Sequence, residues 1–176
     1  MKSKIIEEVK DLYQIIAFKK FRDTPGVSFD IVPMENLKKI DSIDKVIHKS
    51  DALSPGPVGE IERPWYMHPH QADNLVVMHG IRVVEIFTKK HCKVETFKCT
   101  PDRIEKNGEL IYEGGAMLVW PKYVFHRIVS GKQGSASINF AVHYEGFDIK
   151  TNFNIYQLDA ETGKFSVLRK GASDQY

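Results

Sequence analysis

Apolar positions change their spacing along the chain near Ile61. Before it, Ile5, Val9, Leu12, Tyr13 and Ile16 recur at intervals of three and four, with Glu7, Glu8, Lys10 and Asp11 between them. That spacing predicts an amphipathic helix over residues 4–20, stopped at Thr24-Pro25-Gly26. Val27 to Val32 alternates as a first strand, which Pro33 ends. Glu35 to Ile47 is ambiguous, since a short helix would place Leu37, Ile40, Ile43 and Ile47 at helical intervals. Residues 50–59 hold Pro55, Gly56, Pro57 and Gly59 and read as a loop. From Ile61 on, short runs rich in Val, Ile, Phe and Tyr alternate with turn residues. Candidate strands are 61–70, 74–79, 82–88, 92–99, 103–106, 109–113, 116–121, 126–130, 135–144, 153–158 and 164–168. Asn107-Gly108 tolerates the positive φ of a type I′ hairpin turn, and Glu161-Thr162-Gly163 marks a second hairpin. Regular short strands with frequent turns mean a sandwich or barrel. The expected layout is one domain: a helical arm over residues 1–59 packed on a β-barrel over residues 60–170.

Totals narrow the function classes. The chain has 176 residues, 42% of them hydrophobic and 11% aromatic, enough to bury one core. With 25 basic and 23 acidic residues the net charge is +2, which gives no electrostatic case for nucleic acid or a membrane surface as partner. Apolar runs are too short to span a bilayer. Acidic residues interrupt the first eight positions where a signal peptide needs an apolar core, so a cytoplasmic location is expected. Cys92 and Cys99 are too few for a disulfide scaffold and wrongly spaced for a CxxC pair, so both are expected to be reduced.

Candidate chemistry concentrates in two stretches. The first is Tyr66-Met67-His68-Pro69-His70-Gln71-Ala72-Asp73-Asn74. On a strand, residues two apart share a face, so His68 and His70 are natural cis ligands for a divalent metal. The second runs from Gly115 through Trp120-Pro121-Lys122-Tyr123-Val124-Phe125-His126, and His126 is the best third ligand. A neutral three-His face favours Fe(II), Zn(II), Ni(II) or Cu(II) over Mg or Mn. Tyr66, Trp120, Tyr123 and Phe125 flank the histidines and can wall a dry pocket for a small organic ligand, though they also suit a core. Arg82 and Arg127 can pair with a carboxylate or phosphate of a substrate, and His143 is a candidate base. His79 reads as structural or exposed, and Trp65, of opposite parity to Tyr66, as packed outward.

The two stretches resemble the cupin motifs over roughly residues 60–145. The first cupin motif has HxH, a Glu three or four residues on and a later Gly; this chain has His68-Pro69-His70, Asn74 at the Glu position and Gly80. The second motif spaces a Gly, a Pro and a His as Gly115, Pro121 and His126 do, with Tyr123 and Ser130 where the family has Gly and Asn. The resemblance implies a mainly β, cupin-type double-stranded β-helix, a jelly-roll barrel that is often dimeric, with a divalent metal near one mouth. A homodimer is therefore expected. It implies a metal shell of His68, His70 and His126, with Asn74 as a weak fourth ligand; Asp73 or Gln71 could take the Glu role only if the turn is displaced by a residue or more.

Three functions fit. A metal-dependent enzyme could be a three-His Fe(II) dioxygenase or a Zn or Ni Lewis-acid isomerase on a small organic substrate. A non-catalytic cupin would bind a small ligand. A metal-free sugar-nucleotide epimerase of the cupin type would use a His and a Tyr as base and acid, and needs His68 or His70 paired with a carboxylate.

Overall fold

The structure is a computed structural model, described for residues 4–37 and 39–175. The fold is mainly β. In chain order the strands are β1 (Lys4–Val9), β2 (Tyr13–Ala17), β3 (Lys19–Thr24), β4 (Val27–Ile31), β5 (Ser42–His48), β6 (Leu53–Ser54), β7 (Trp65–Met67), β8 (Gln71–Phe87), β9 (Glu95–Thr100), β10 (Arg103–Lys106), β11 (Glu109–Glu113), β12 (Ala116–Trp120), β13 (Phe125–His143), β14 (Ile155–Asp159) and β15 (Lys164–Arg169). One four-residue helix, α1 (Ile149–Asn152), lies between β13 and β14.

Two long strands organise the molecule. β8 and β13 pair antiparallel from Phe125 opposite Phe87 to His143 opposite Gln71, with register shifts near their middles. The bend there requires glycine. Gly80 has φ +72° and a Cβ on it would sit 2.1 Å from the Gly134 carbonyl oxygen; Gly134 has φ +71° and a Cβ would sit 2.5 Å from that of His48. Beyond the bend the ribbon enters a different sheet. One sheet runs β1-β2-β12, the first half of β8, the second half of β13, then β5. The other takes the second half of β8 with β9, β10 and β11, and the first half of β13 with β6, β7, β14 and β15. This two-sheet arrangement is a jelly-roll barrel.

The core lies between the sheets. Ile15, Leu75 and Leu118 from one sheet meet Val84, Ile86 and Phe97 from the other, all buried. Tyr13 stands edge-on to Phe97 with ring centres 4.8 Å apart. A second cluster of Ile16, Leu37, Val76 and Met117 covers the outer face of the first sheet.

The N-terminal helix is not formed. Residues 4–17 are a β-hairpin, β1 and β2, turned at Asp11, which takes φ 64°. β2 packs against clusters on both of its faces, Ile15 inward and Ile16 outward. Burial on both faces erases the period-two alternation that marks a half-buried strand, and the residual spacing imitated a helix. The segment 35–47 holds a 3₁₀ turn at Met34–Asn36 and then β5, with Ile43 and Ile47 on its exposed side. Residues 61–70 carry only the short β7, because Pro69 ends the pairing. Both cysteines are free, Cys92 exposed and Cys99 buried. Among the described residues no helix is long and apolar enough to cross a membrane.

Candidate functional site

A cavity of about 240 Å³ opens between the sheets. Side-chain parity decides which residues line it. In the first half of β8, Asp73 and Leu75 face the cavity while Asn74 and Val76 face away; in β13, His126, Ile128 and Asn139 face in. β5 adds Asp44, Val46 and His48, β12 adds Trp120, and the chain around β7 adds Tyr66 and His68. Arg82 enters from the second half of β8.

His68 sits where β7 ends and is 5% exposed. Its Nδ1 lies 2.8 Å from the backbone carbonyl of Asn152. A carbonyl can only accept, so Nδ1 carries the hydrogen and Nε2 keeps a free lone pair. Asp73 Oδ2 stands 3.8 Å from that Nε2. Asp73 itself is held through its other oxygen, which accepts from Gln71 Nε2 and from Asn139 Nδ2, both at 2.7 Å. Its Oδ2 is buried with no hydrogen-bond partner. Asn152 is fully buried and ties this network together: its Oδ1 accepts from the His70 N–H at 3.1 Å and its Nδ2 donates to Gln71 Oε1 at 3.3 Å.

His126 completes a triangle. Its ring centre lies 4.7 Å from that of His68 and 5.2 Å from that of Trp120. Its Nδ1 donates to the Val124 carbonyl at 3.2 Å. Burial first, and the neighbouring His68 second, push its pKa down to about 4, so the ring is neutral at pH 7. Tyr66 faces the same space, its ring centre 6.0 Å from both histidines. Burial and then the charge of Asp174 hold its phenol above the ordinary range, so it is a proton donor at neutral pH.

Several lining groups lack protein partners. Of five buried side-chain N or O atoms without a hydrogen bond among the described residues, three belong to this cavity's wall: Asp73 Oδ2, Trp120 Nε1 and His48 Nδ1. Buried polar groups are seldom left unpaired, so this set calls for a polar ligand.

The other sequence candidates lie elsewhere. His70 falls in the bend after Pro69, so its ring does not share a face with His68. It packs against Gly146, where a Cβ would meet the ring at 3.0 Å. Asn74 donates to the Phe140 carbonyl at 2.6 Å on the outer face. His143 stacks on Phe147 with ring centres 3.6 Å apart and lines, with Asn74, a separate cavity of about 710 Å³. Arg127 points outward, forked onto Glu85 at 2.7 and 3.2 Å and lying 4.1 Å above Trp65. Tyr123 is 53% exposed. The three-His face is therefore not formed. His68, His126 and Asp73 converge instead, with ligand atoms all within 4.8 Å of one another. The sequence reading allowed Asp73 this role only if the turn were displaced, and the bend at Pro69 restarts strand parity so that Asp73, not Asn74, faces the histidines. The interval from His68 to an acidic residue five positions on was the available signal. Asn152, in a segment with no motif, gave none.

Comparison of the sequence with protein-family models and with curated proteins gave no match. Solved structures do match. A variant of the 3,4-ketoisomerase QdtA from Thermoanaerobacterium thermosaccharolyticum, in complex with TDP-4-keto-6-deoxyglucose, superposes with a TM-score of 0.56 at 11% identity, over 80% of this chain and 85% of that one. The dTDP-4-dehydrorhamnose 3,5-epimerase from Sulfolobus tokodaii gives 0.58 at 14% identity, over 84% and 78%. That from Elizabethkingia anophelis gives 0.58 at 12%, over 83% and 77%. The fold is a jelly roll like that of these structures. At these identities the likeness extends to fold and no further.

Proposed function

We propose that this cupin is a small-molecule isomerase that moves a proton next to a carbonyl in a sugar-like substrate. The observation that carries this reading is the pairing of His68 with Asp73 inside a cavity that also presents Tyr66. It meets the condition that the metal-free epimerase type of cupin sets, a histidine paired with a carboxylate. In the reaction a C–H bond adjacent to a ketone breaks and its proton passes to His68 Nε2. The electron pair moves onto the carbonyl oxygen, which the Tyr66 phenol protonates or hydrogen-bonds. For the isomeric ketone, the α-hydroxyl gives its proton to the Tyr66 phenolate as the new carbonyl forms, and His68 passes its proton to the former carbonyl carbon. For the epimer, the enol proton returns to Tyr66 while water protonates the same carbon from the opposite face, and His68 releases its proton to the hydroxide left behind. Nothing is oxidised or reduced overall, and no co-reactant is consumed. Asp73 faces the imidazolium as it forms, and the Asn152 carbonyl holds the ring. The unpaired Asp73 and Trp120 atoms are the places for substrate hydroxyls. Support also comes from the fold neighbours, which act on keto-sugars.

At about 240 Å³ the cavity is smaller than the roughly 300–1,000 Å³ of pockets for drug-sized ligands, so it admits one sugar ring. Incubation with TDP-4-keto-6-deoxyglucose and with free keto-sugars in D₂O, read by proton NMR, tests the reading. Loss of a substrate C–H signal that His68→Asn abolishes is the expected result. A panel without any exchange would refute it.

A second reading rests on the same residues. The convergence of His68, His126 and Asp73 suits a divalent ion of the Fe, Zn or Ni kind. The 3.8 Å between His68 Nε2 and Asp73 Oδ2 is near the ~3–3.5 Å between ligands of a tetrahedral ion, and the unpaired Asp73 Oδ2 offers a donor. Such an ion supplies Lewis-acid polarisation of a carbonyl. It would occupy the His68 lone pair that the base needs, so the two readings exclude each other at one atom.

A further inference from the structure

The proton-transfer reading uses one end of the cavity. The other end holds Arg82. The residue is 2% exposed. Its Nε donates to Ser135 Oγ and its Nη2 to the Val46 carbonyl, both at 3.1 Å. Those contacts use two of its five N–H donors. The arginines that pair with carboxylates are Arg63, Arg103, Arg127 and Arg169; Arg82 has no such partner among the described residues. Burial lowers its pKa only to about 10, so it is charged at neutral pH. A buried cation with no counter-ion is costly, and a structure that keeps one on a cavity wall has a use for it.

The surroundings separate this end from the acidic one. His48, on the same wall, is kept neutral by burial and by the Arg82 charge, and its buried Nδ1 has no partner. His48 pairs with Ser135, the residue that receives the Arg82 Nε–H. Asp44 pairs with Asn139, whose Nδ2 holds Asp73 at 2.7 Å and Asp44 at 3.2 Å. Asp44 and His48 are four residues apart on one strand, a backbone separation of about 13 Å. Both carboxylates of the lining are thus held by Asn139, and among the described residues neither forms an ion pair with Arg82.

We infer that the ligand of this cavity carries a carboxylate seated on the remaining N–H donors of Arg82, which makes it an acidic sugar, a uronic or keto-aldonic acid. This inference rests on the sugar-isomerase reading for the ring and on Arg82 for the acid. Adjacent Nη1 and Nη2 hydrogens form a planar fork that matches a carboxylate with two parallel bonds. The polarity fits as well: the carboxylate is held at Arg82, and the hydroxyls and ketone reach toward Trp120, Tyr66 and His68.

Titration calorimetry of the full chain with D-glucuronate, D-glucose and D-glucose 6-phosphate reads the preference. The expected result is glucuronate at least about 10-fold tighter than glucose, as charge-assisted hydrogen bonds give, and tighter than the phosphate. Arg82→Met should abolish that margin while raising the melting temperature, since it removes an uncompensated charge. Arg82→Lys, which keeps the charge but not the fork, should retain part of it. Should Arg82→Met not fold, the thermal shift of the wild type with acid against parent sugar reads the same margin. Equal affinity for acid and parent, no binding of either, tighter phosphate, or a margin that survives Arg82→Met each overturns the inference. Hydrogen exchange on neutral keto-sugars without an acid preference would remove the Arg82 inference alone. An Arg82-dependent acid preference without exchange on any sugar would remove the isomerase reading alone.

Discussion

Asp73→Asn separates a functional carboxylate from a structural one. Asp73 is 4% exposed, and its Oδ1 accepts two 2.7 Å hydrogen bonds, from Gln71 and Asn139. Bonds to a charged acceptor contribute about 1.5–3 kcal/mol and neutral ones about 0.5–1.5, so neutralising this acceptor loses roughly 2 kcal/mol over the pair. Against that stands the cost of keeping a carboxylate out of water with its Oδ2 unpaired, several kcal/mol per buried ion. The introduced amide can keep its oxygen on Gln71 and Asn139 and turn its NH₂ toward His68, where it donates to Nε2. Stability should therefore stay level or rise by up to about 2 kcal/mol. For a chain of 176 residues that is a shift of up to roughly 4–8 °C in Tm. Exchange activity should fall by about 10²–10⁴, because the lone pair that takes the proton is occupied. Urea unfolding followed by tryptophan fluorescence reads the first quantity without any substrate, since Trp120 lines the cavity. A loss of more than about 2 kcal/mol would show that Asp73 anchors the network, and the argument from its unpaired oxygen would fail.

Other substitutions have different signatures. Asn152→Ala leaves the His70 N–H and Gln71 Oε1 buried without partners, so it should cost about 2–4 kcal/mol in urea unfolding, opposite in sign to Asp73→Asn. Phe97→Ala, at a fully buried position between the sheets, should cost about 3–5 kcal/mol. His48 has a folded-state pKa near 4, below the unfolded value near 6.5, so its contribution is fully present above pH 6.5 and is lost as the pH falls toward 4. Solvent screening of a half-buried ring brings the ideal ~3 kcal/mol down to about 1–2. His48→Gln should flatten the fall in stability between pH 6.5 and 4.5, and an unchanged slope would show that the ring titrates normally.

Much of the architecture was legible. The Asn107-Gly108 turn and the hairpin around residues 161–163 join β10 to β11 and β14 to β15 where the turn residues predict them. The long strands β8 and β13 read as four, because Gly80 and Gly134 mark a bend in a strand with the same residues that end one. The N-terminal hairpin was unreadable for a related reason: β2 is buried on both faces and shows no alternation. At the site, His68 was found through the His68-Pro69-His70 pair, and His126 because the Gly115–Pro121–His126 spacing fixes where β13 begins. His70 was misplaced because Pro69 breaks the strand on which the HxH argument depends. Arg82 was visible as a candidate, but its lack of a counter-ion emerges only when β5 folds over it.

The most direct test of the central claim is deuterium incorporation into a keto-sugar after the protein has been stripped with a strong chelator. Proton transfer by His68 and Tyr66 predicts that exchange continues at the same rate in the stripped protein and falls at least about 100-fold in His68→Asn and in Tyr66→Phe. Exchange that stops on stripping and returns with added Fe(II), Zn(II) or Ni(II) would contradict it and assign His68, His126 and Asp73 to a metal.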